Sequence, residues 1–495
     1  MTPTTFESLN AAAALPEILL AVGVCVLLVL DGLTQGRKLD FIHGASVAMA
    51  AAIGIYCLSA AGQAQPELAF NEMYVNDSMG LLLKGFTCLA VAITLIYAKQ
   101  YAADRQMLRG EFYGLSLFAL LGQMVMISAN TFLLIYLGLE LLSLSLYAAV
   151  AMRRDHLESS EASMKYFVLG ALASGFLLYG MSMVYGATGT LELSAIAKAT
   201  AAPKANKLIL VFGLVFIVAG LAFKLGVVPF HMWVPDVYQG SPTATTLLIS
   251  AAPKLAAFAM LIRILVDGLL SAATDWQQML MFLSILSMGI GNLAAIAQTN
   301  LKRMLAYSTI AQMGFMLLGM MSGVSGTDMS GAASAYGASM FYVVTYVLTT
   351  LGSFGVILLL SRKGLDADNI SDLNGLNARA PWMALVMLVL MFSLAGIPPM
   401  VGFYAKLAVL QAVFAAGHVA LTVYAVMMSL IGAFYYLRVV KAMYFEEPAD
   451  TAPLQGGARP SAVLGLNGAA VVVLGLLPAP LMALCLTAMQ RVLGS

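Results

Sequence analysis

Residues 221–263 read LAFKLGVVPFHMWVPDVYQGSPTATTLLISAAPKLAAFAMLIR, two apolar segments that each carry one lysine, Lys224 and Lys254, joined by a stretch punctuated by Pro229, Pro235 and Pro242. A lysine at mid-membrane costs roughly 2.5 to 3.5 kcal/mol. A chain that keeps several must give them cavities or partner charges. Pro229 lacks the amide proton a helix needs, so the first segment is expected to break near membrane depth, where non-helical backbone survives only if protein or water covers it. Broken helices with charged side chains beside them are how transport folds build ion sites at the midplane.

The rest of the chain fits this reading. Its 495 residues are 61% hydrophobic and 10% charged, against roughly 25% charged in a soluble domain. Its apolar runs approach 20 residues, the length of a membrane helix rather than of a barrel strand. The fold class is therefore all-α integral membrane, with about fourteen transmembrane helices. The run at 381–416 is too long for one straight helix and has Ala395-Gly396-Ile397-Pro398-Pro399 at its centre, which predicts a second broken helix, the twelfth, five spans after the first. The runs at 243–266 and 462–488 are expected to be single helices, and the connections near 61–76, 187–206 and 445–461 to be surface loops.

Charge supports this span count. Of the 25 lysines and arginines, fifteen fall beside one set of loop ends and four (Lys198, Lys204, Lys207 and Arg491) beside the other; Lys84, Lys165, Lys224, Lys254, Arg263 and Lys406 lie within spans. By the positive-inside rule both termini face away from the cytoplasm. No lysine or arginine precedes the first apolar run, so that run is expected to be retained as a helix rather than removed as a signal. A net charge of +1 without basic clusters gives no case for nucleic acid. The four cysteines stand alone in apolar segments and read as buried small hydrophobes.

Six residues are candidates for a proton path: Glu140, Lys165, Lys224, His231, Lys254 and Lys406. Glu140 sits near the middle of the fifth span, where a carboxylate must be paired or neutralised; Lys224 is its first candidate partner and Lys165 the second. Lys254 and Lys406 lie well inside their spans. Lys165 lies near a span end and could also snorkel to the interface. His231 follows the first break and reads equally as a proton carrier or as a cap for freed backbone. Lys84 has only its isolation to recommend it and is left outside the path. For any of these lysines the plain alternative is a static ion pair that fixes helix packing. Lysine suits proton relay because burial and nearby charge act on it in opposite directions, so moving one partner can toggle its proton. There is no GxxxxGK[ST], GxGxxG, CxxC or HExxH. No cofactor is expected on this chain.

The run GLAFKLGVVPFHMWVPDVYQGSPTATTLLISAAPKLAAF (220–258) resembles the proton-antiporter-like membrane subunits of respiratory NADH:quinone oxidoreductase (complex I), most closely the subunit N branch. YLGLELLSLSLYAAV, EASMKYFVLGALASGFLLYG, QTNLKRMLAYSTIAQMGF and LAGIPPMVGFYAKLAVLQA strengthen the likeness. The resemblance implies two inverted five-helix repeats with broken helices 7 and 12. It implies an N-terminal three-helix segment (1–111), a first repeat (112–266), a second (276–444) and a loop with the last helix (445–495). It also implies that Glu140 and Lys224 form a coupled acid–lysine pair, that Lys254 is a central lysine and Lys406 the terminal ionisable residue, and that Lys165 is a further lysine of the set. FMN, iron–sulfur centres and the quinone site are then expected in partner subunits. The setting implied is a hetero-oligomeric membrane arm in a bacterial inner membrane, with a water chain along the lysines. A multisubunit cation/proton antiporter and a mainly structural membrane-arm subunit are the alternatives.

Overall fold

The computed structural model describes residues 9–202, 206–326, 328–448 and 457–494. Lys204 and residues 1–8, on which parts of the charge and leader readings fall, lie outside the described residues. Among the described residues thirteen helices are long and apolar enough to cross a membrane. The twelfth crossing is built from two shorter helices, Pro381–Ala395 and Val401–Ala415, which makes fourteen crossings in all. In chain order the helices are α1 (Leu15–Thr34), α2 (Leu39–Ala61), α3 (Ser78–Asp104), α4 (Gly110–Ile127), α5 (Phe132–Val150), α6 (Leu157–Thr188), α7 (Leu193–Ala201), α8 (Lys207–Leu225), α9 (Trp233–Gly240), α10 (Thr243–Ser250), α11 (Ala252–Leu261), α12 (Ala273–Ile296), α13 (Leu301–Met321), α14 (Ala332–Leu360), α15 (Leu376–Arg379), α16 (Pro381–Ala395), α17 (Val401–Ala415), α18 (Val419–Phe445), α19 (Ala458–Leu476) and α20 (Ala479–Leu493).

Helix starts are set by short polar side chains that satisfy otherwise orphaned amides. Asp77 accepts from Gly80 N at 2.7 Å, Thr131 from Leu134 N at 3.3 Å and Asn300 from Arg303 N at 2.9 Å. Two of these caps mark an internal repeat. Thr131, opening α5, bridges Glu192 beyond α6, and Asn300, opening α13, bridges Asn369 beyond α14. Five crossings separate the two caps, an odd number, so the bridges lie at opposite faces of the membrane and the repeats are inverted.

Both repeats carry a break of the same form. α8 ends at Gly226 (φ 77°) with Pro229 three residues on, and α16 ends at Gly396 (φ 85°) with Pro399 three residues on. Only glycine adopts this left-handed backbone without strain. A side chain at Gly396 would also come within 2.9 Å of the Lys406 stem.

Two spans expected to be continuous are not. The eighth crossing bends at Ala251 (φ −101°, ψ −91°), between α10 and α11, because Pro253 cannot donate to the preceding turn. Its last turn, Ile262–Gly268, is π-helical. The fourteenth crossing divides at Leu477-Pro478 into α19 and α20, and Gly475 there packs against Pro399 O, so the breaks of the twelfth and fourteenth crossings abut. Two expected loops are structured: 61–76 contains an antiparallel hairpin of β1 (Glu67–Ala69) and β2 (Tyr74–Asn76), and 187–206 contains α7. Of the cysteines, Cys57, Cys88 and Cys485 are buried, whereas Cys25 is exposed on α1.

α10, α11, α13 and α14 form the buried centre, whereas α1, α2, α5 and α18 present Val29, Leu33, Ile55, Leu144 and Leu430 outward. Outward aliphatic side chains beside an inward polar row are what a bilayer requires of a helical protein. At the basic face Asp366, on the connection after α14, takes Arg105 and Arg153. Burial pushes this carboxyl up, the Arg105 charge and hydrogen bond pull it down, Lys302 and Arg153 assist, and the net position is below the ordinary carboxylate value. A depressed carboxylate adds stability above its unfolded pKa of about 3.9 and loses it as pH falls through the lower folded value. Amide exchange in 361–369 should therefore accelerate only below about pH 4. Asp366→Asn should raise exchange there at neutral pH and remove the acid step; exchange identical to wild type would refute the tie.

Candidate functional site

Broken helices leave main-chain carbonyls without partners, and the structure meets them with lysines. Lys254 Nζ, on α11, donates to Leu225 O at 2.8 Å, the carbonyl end of α8. Lys406 Nζ, on α17, donates to Leu394 O at 2.9 Å and Ala395 O at 3.0 Å, the carbonyl end of α16. Leu225 and Ala395 each directly precede the left-handed glycine, so the two lysines occupy the same electrostatic position in the two repeats. The carbonyl end of a helix carries about half a negative charge, which holds an ammonium, while burial works against it. Lys254 is 1% exposed and Lys406 7%; neither has a carboxylate within ion-pair distance among the described residues.

Aromatic faces complete the cradle. Lys254 Nζ lies 5.7 Å from the Trp233 ring and Lys406 Nζ 5.0 Å from that of Phe315, inside the range for cation–π attraction. The amides and carbonyls of the first break are otherwise taken by Ser287, which accepts from Val228 N at 2.9 Å, and by Trp233, which donates to Phe223 O at 3.0 Å. His231, read as carrier or cap, hydrogen-bonds the backbone of Pro229 within the break and lines neither cavity described below; its Nδ1 is buried there without a partner.

Lys224, in the last turn of α8, donates to Ser143 Oγ at 2.8 Å, and Ser143 donates to Leu139 O at 2.6 Å. Glu140 sits one turn from Ser143 on α5. It acts on Lys224 through space, but the two form no direct ion pair, and Glu140 Oε1 is buried without a hydrogen bond. The expected acid–lysine pair is thus adjacent yet open, with Ser143 in contact. Lys165 is placed elsewhere: it pairs with Asp236 on α9 and with Glu161, both at 2.8 Å, with 42% of its side chain exposed. Asp236 also takes Arg303 at 2.8 Å. Lys165 belongs to a half-exposed ionic tie at the basic face, in keeping with the snorkelling alternative.

Two small cavities link the buried amines. Ser143, Lys224, Trp233 and Lys254 line one of about 20 Å³, and Gln312, Tyr346, Thr349, Ser393 and Lys406 line another of about 20 Å³. Each has room for a water molecule beside several polar groups. Between them stands Tyr238 of α9, beside Thr309 and Tyr346. Tyr346 donates to Thr309 at 2.8 Å. Gln312 donates to Leu394 O at 3.0 Å, the carbonyl that Lys406 also uses. Beyond Lys406 the row continues to Ser429 Oγ on α18 at 3.0 Å. Glu140, Lys224, Lys254 and Lys406 therefore lie in one polar row that runs through both repeats.

Other ionic groups were not legible as partners. Lys84, fully buried, contacts Glu17 at 2.5 Å and Tyr74 OH at 2.7 Å. Arg263 meets Asp77 at 2.8 Å and Asp267 at 3.1 Å. Lys302, expected beside a loop end, is buried against Ser241 O at 3.2 Å and Asp368 at 3.0 Å. Among the described residues no cluster of three or more His, Cys, Asp or Glu could hold a metal ion.

Comparison with known proteins places this geometry. The family model for "NADH:quinone oxidoreductase/Mrp antiporter, TM" matches residues 129–432. A NADH-quinone oxidoreductase subunit N from Herminiimonas arsenicoxydans is 59% identical, with 99% of this chain and 100% of the relative covered. Its counterpart from Polaromonas naphthalenivorans is 54% identical, with 99% of each covered. Among solved structures, a chain of respiratory complex I from Thermus thermophilus superposes with a TM-score of 0.81 at 34% identity, covering 94% of this chain and 98% of that one. A chain of the Mrp complex from Dietzia sp. DQ12-45-1b gives 0.83 at 20% identity, covering 97% and 98%, a likeness of fold alone.

Proposed function

The chain belongs to the NADH-quinone oxidoreductase subunit N family, and from that premise we propose that it carries protons across the membrane along its buried lysine row. It is a membrane subunit of a multisubunit NADH-quinone oxidoreductase. The electron-transfer chemistry from NADH to quinone, with FMN and iron–sulfur centres, belongs to partner subunits. Residues 1–111 form an N-terminal three-helix segment, 112–266 and 276–444 the two repeats, and 445–495 the last loop and crossing. The membrane is the bacterial inner membrane, and both termini lie on its non-cytoplasmic side.

One observation supports the relay above the others: Lys254 and Lys406 each hold the carbonyl end of a broken helix, and each borders a water-sized cavity. A signal from quinone reduction closes or opens the Glu140–Lys224 pair. Closing it draws the Lys224 ammonium from Ser143 towards Glu140 and away from Lys254; opening it does the reverse. The change in field shifts the proton on Lys254, and the change passes through Tyr238, Thr309 and Tyr346 to Lys406 and Ser429. Lys165 and His231 lie beside the row, at its basic-face edge. The antiporter alternative has the shared family model and a likeness of fold behind it, while relatives more than half identical along the whole chain carry the oxidoreductase name.

Glu140→Gln tests this. In assembled complex, reconstituted in liposomes, NADH-driven proton uptake per electron should fall and coupled turnover drop about tenfold, the equivalent of ~1.4 kcal/mol at the rate-limiting step. Unchanged proton-to-electron ratio with verified assembly would overturn the assignment.

A further inference from the structure

We propose that the groove between α1, α4 and α5 at the basic face is a binding site for one membrane phospholipid, its phosphate held between Arg109 and Arg154. The groove is about 430 Å³ in volume, and its walls are Leu28, Gly114, Leu115, Phe118, Ala148 and Met152. Its shape follows from sequence. α4 and α5 touch where glycines face each other: a side chain at Gly122 would come within 2.7 Å of Gly138 O. Towards the basic face larger residues separate the two helices, and α1 runs alongside α4, with Leu28 packed against Gly114 and Asp31 against Gly110. The result is a wedge that opens outward.

Its depth matches one leaflet. From Arg109 at the mouth to Phe118 is nine residues of α4, about 13 Å at the rise of a helix, against ~15 Å for half the hydrocarbon thickness. A transmembrane helix from another subunit needs a groove through both leaflets; this one closes at Gly122. A single acyl chain fits it, and a crossing helix does not.

The mouth supplies the complementary charge. Arg109 and Arg154 are exposed and neither guanidinium has an acidic partner among the described residues, unlike Arg105, Arg153 and Arg303 at the same face. Guanidinium groups favour phosphate through paired hydrogen bonds. Glu111 also lines the mouth, which leaves the lining with one net positive charge, suited to one phosphodiester rather than two. Asp31 packs behind Gly110 and does not line the groove. Glu111 can also accept from a headgroup hydroxyl or ammonium.

The test uses purified, delipidated complex titrated with dioleoyl phosphatidylglycerol, with retained lipids counted by native mass spectrometry. Wild type should hold one lipid more tightly than Arg109→Gln/Arg154→Gln, with about tenfold weaker retention in the variant. Ala148→Leu fills the groove from an exposed position, leaves the charges intact, and should lose the same lipid. Dioleoyl phosphatidylethanolamine should substitute, since it offers the same phosphate; glycerol phosphate should not, since it has no chain for the wall. Wild-type retention in both variants would overturn the proposal. So would a density map of the complex with side chains of a neighbouring subunit in the groove.

Discussion

Lys254→Met is expected to abolish proton-coupled turnover in assembled complex, a loss of about 100-fold or more if the amine transfers a proton in the slow step. Methionine fills a similar volume and leaves Leu225 O without its donor, a cost of about 1–3 kcal/mol for a buried acceptor. Loss of activity in this variant alone would not separate proton transfer from structural support. Lys254→Arg does. Arginine keeps a positive charge, can donate to Leu225 O and can lie against Trp233, yet it does not deprotonate in proteins. A relay predicts that arginine fails like methionine while assembly and thermal stability stay near wild type. A purely structural lysine predicts that arginine restores turnover. Proton uptake by reconstituted complex, measured alongside NADH oxidation, distinguishes the two, and arginine rescue would sink the relay at its centre.

The same comparison at Lys406 is less clean. Its amine meets two carbonyls and Ser429 within 3.0 Å, and the larger guanidinium would have to displace one of them. Lys254 is the better test because Trp233 leaves a flat face beside it.

What the sequence could show depends on how local the physics is. Apolar length is local, and so the fourteen crossings were legible; Pro229 and Pro398-Pro399 announced two breaks for the same reason. Pro253 offered the same signal for the bend at Ala251, but it sits in the first turn of α11, a position where proline is also compatible with a straight helix start. Pro478 was masked by an apolar run long enough for one span. The lysines stood out because charge is rare in such segments. Their partners did not: Ser143 and Ser429 look like the many membrane serines that bond their own helix. Asp77 and Arg263 are 186 residues apart. The carbonyls of Leu225 and Ala395 carry no sequence mark at all. Tertiary pairing chooses among many equally plausible groups, and hydropathy does not rank them.

The second large effect is expected outside the row. Lys84 on α3, Glu17 on α1 and Tyr74 on β2 form a buried triad in the N-terminal segment: Lys84 contacts Glu17 at 2.5 Å and Tyr74 OH at 2.7 Å, and Tyr74 donates to Glu17 at 3.0 Å. Removing one member of such a pair strands a charge in low dielectric and typically costs 3–5 kcal/mol, whereas replacing both by apolar groups is often near neutral. Lys84→Met should therefore sharply lower the yield and thermal stability of assembled complex, and Glu17→Gln/Lys84→Met should recover much of the loss. The triad lines neither of the two cavities that hold the amines of the row. Complex that does assemble with the double substitution should then keep its proton-to-electron ratio. A normal yield with a lowered ratio would mean the reverse, that Lys84 carries protons and the row extends into the first three helices.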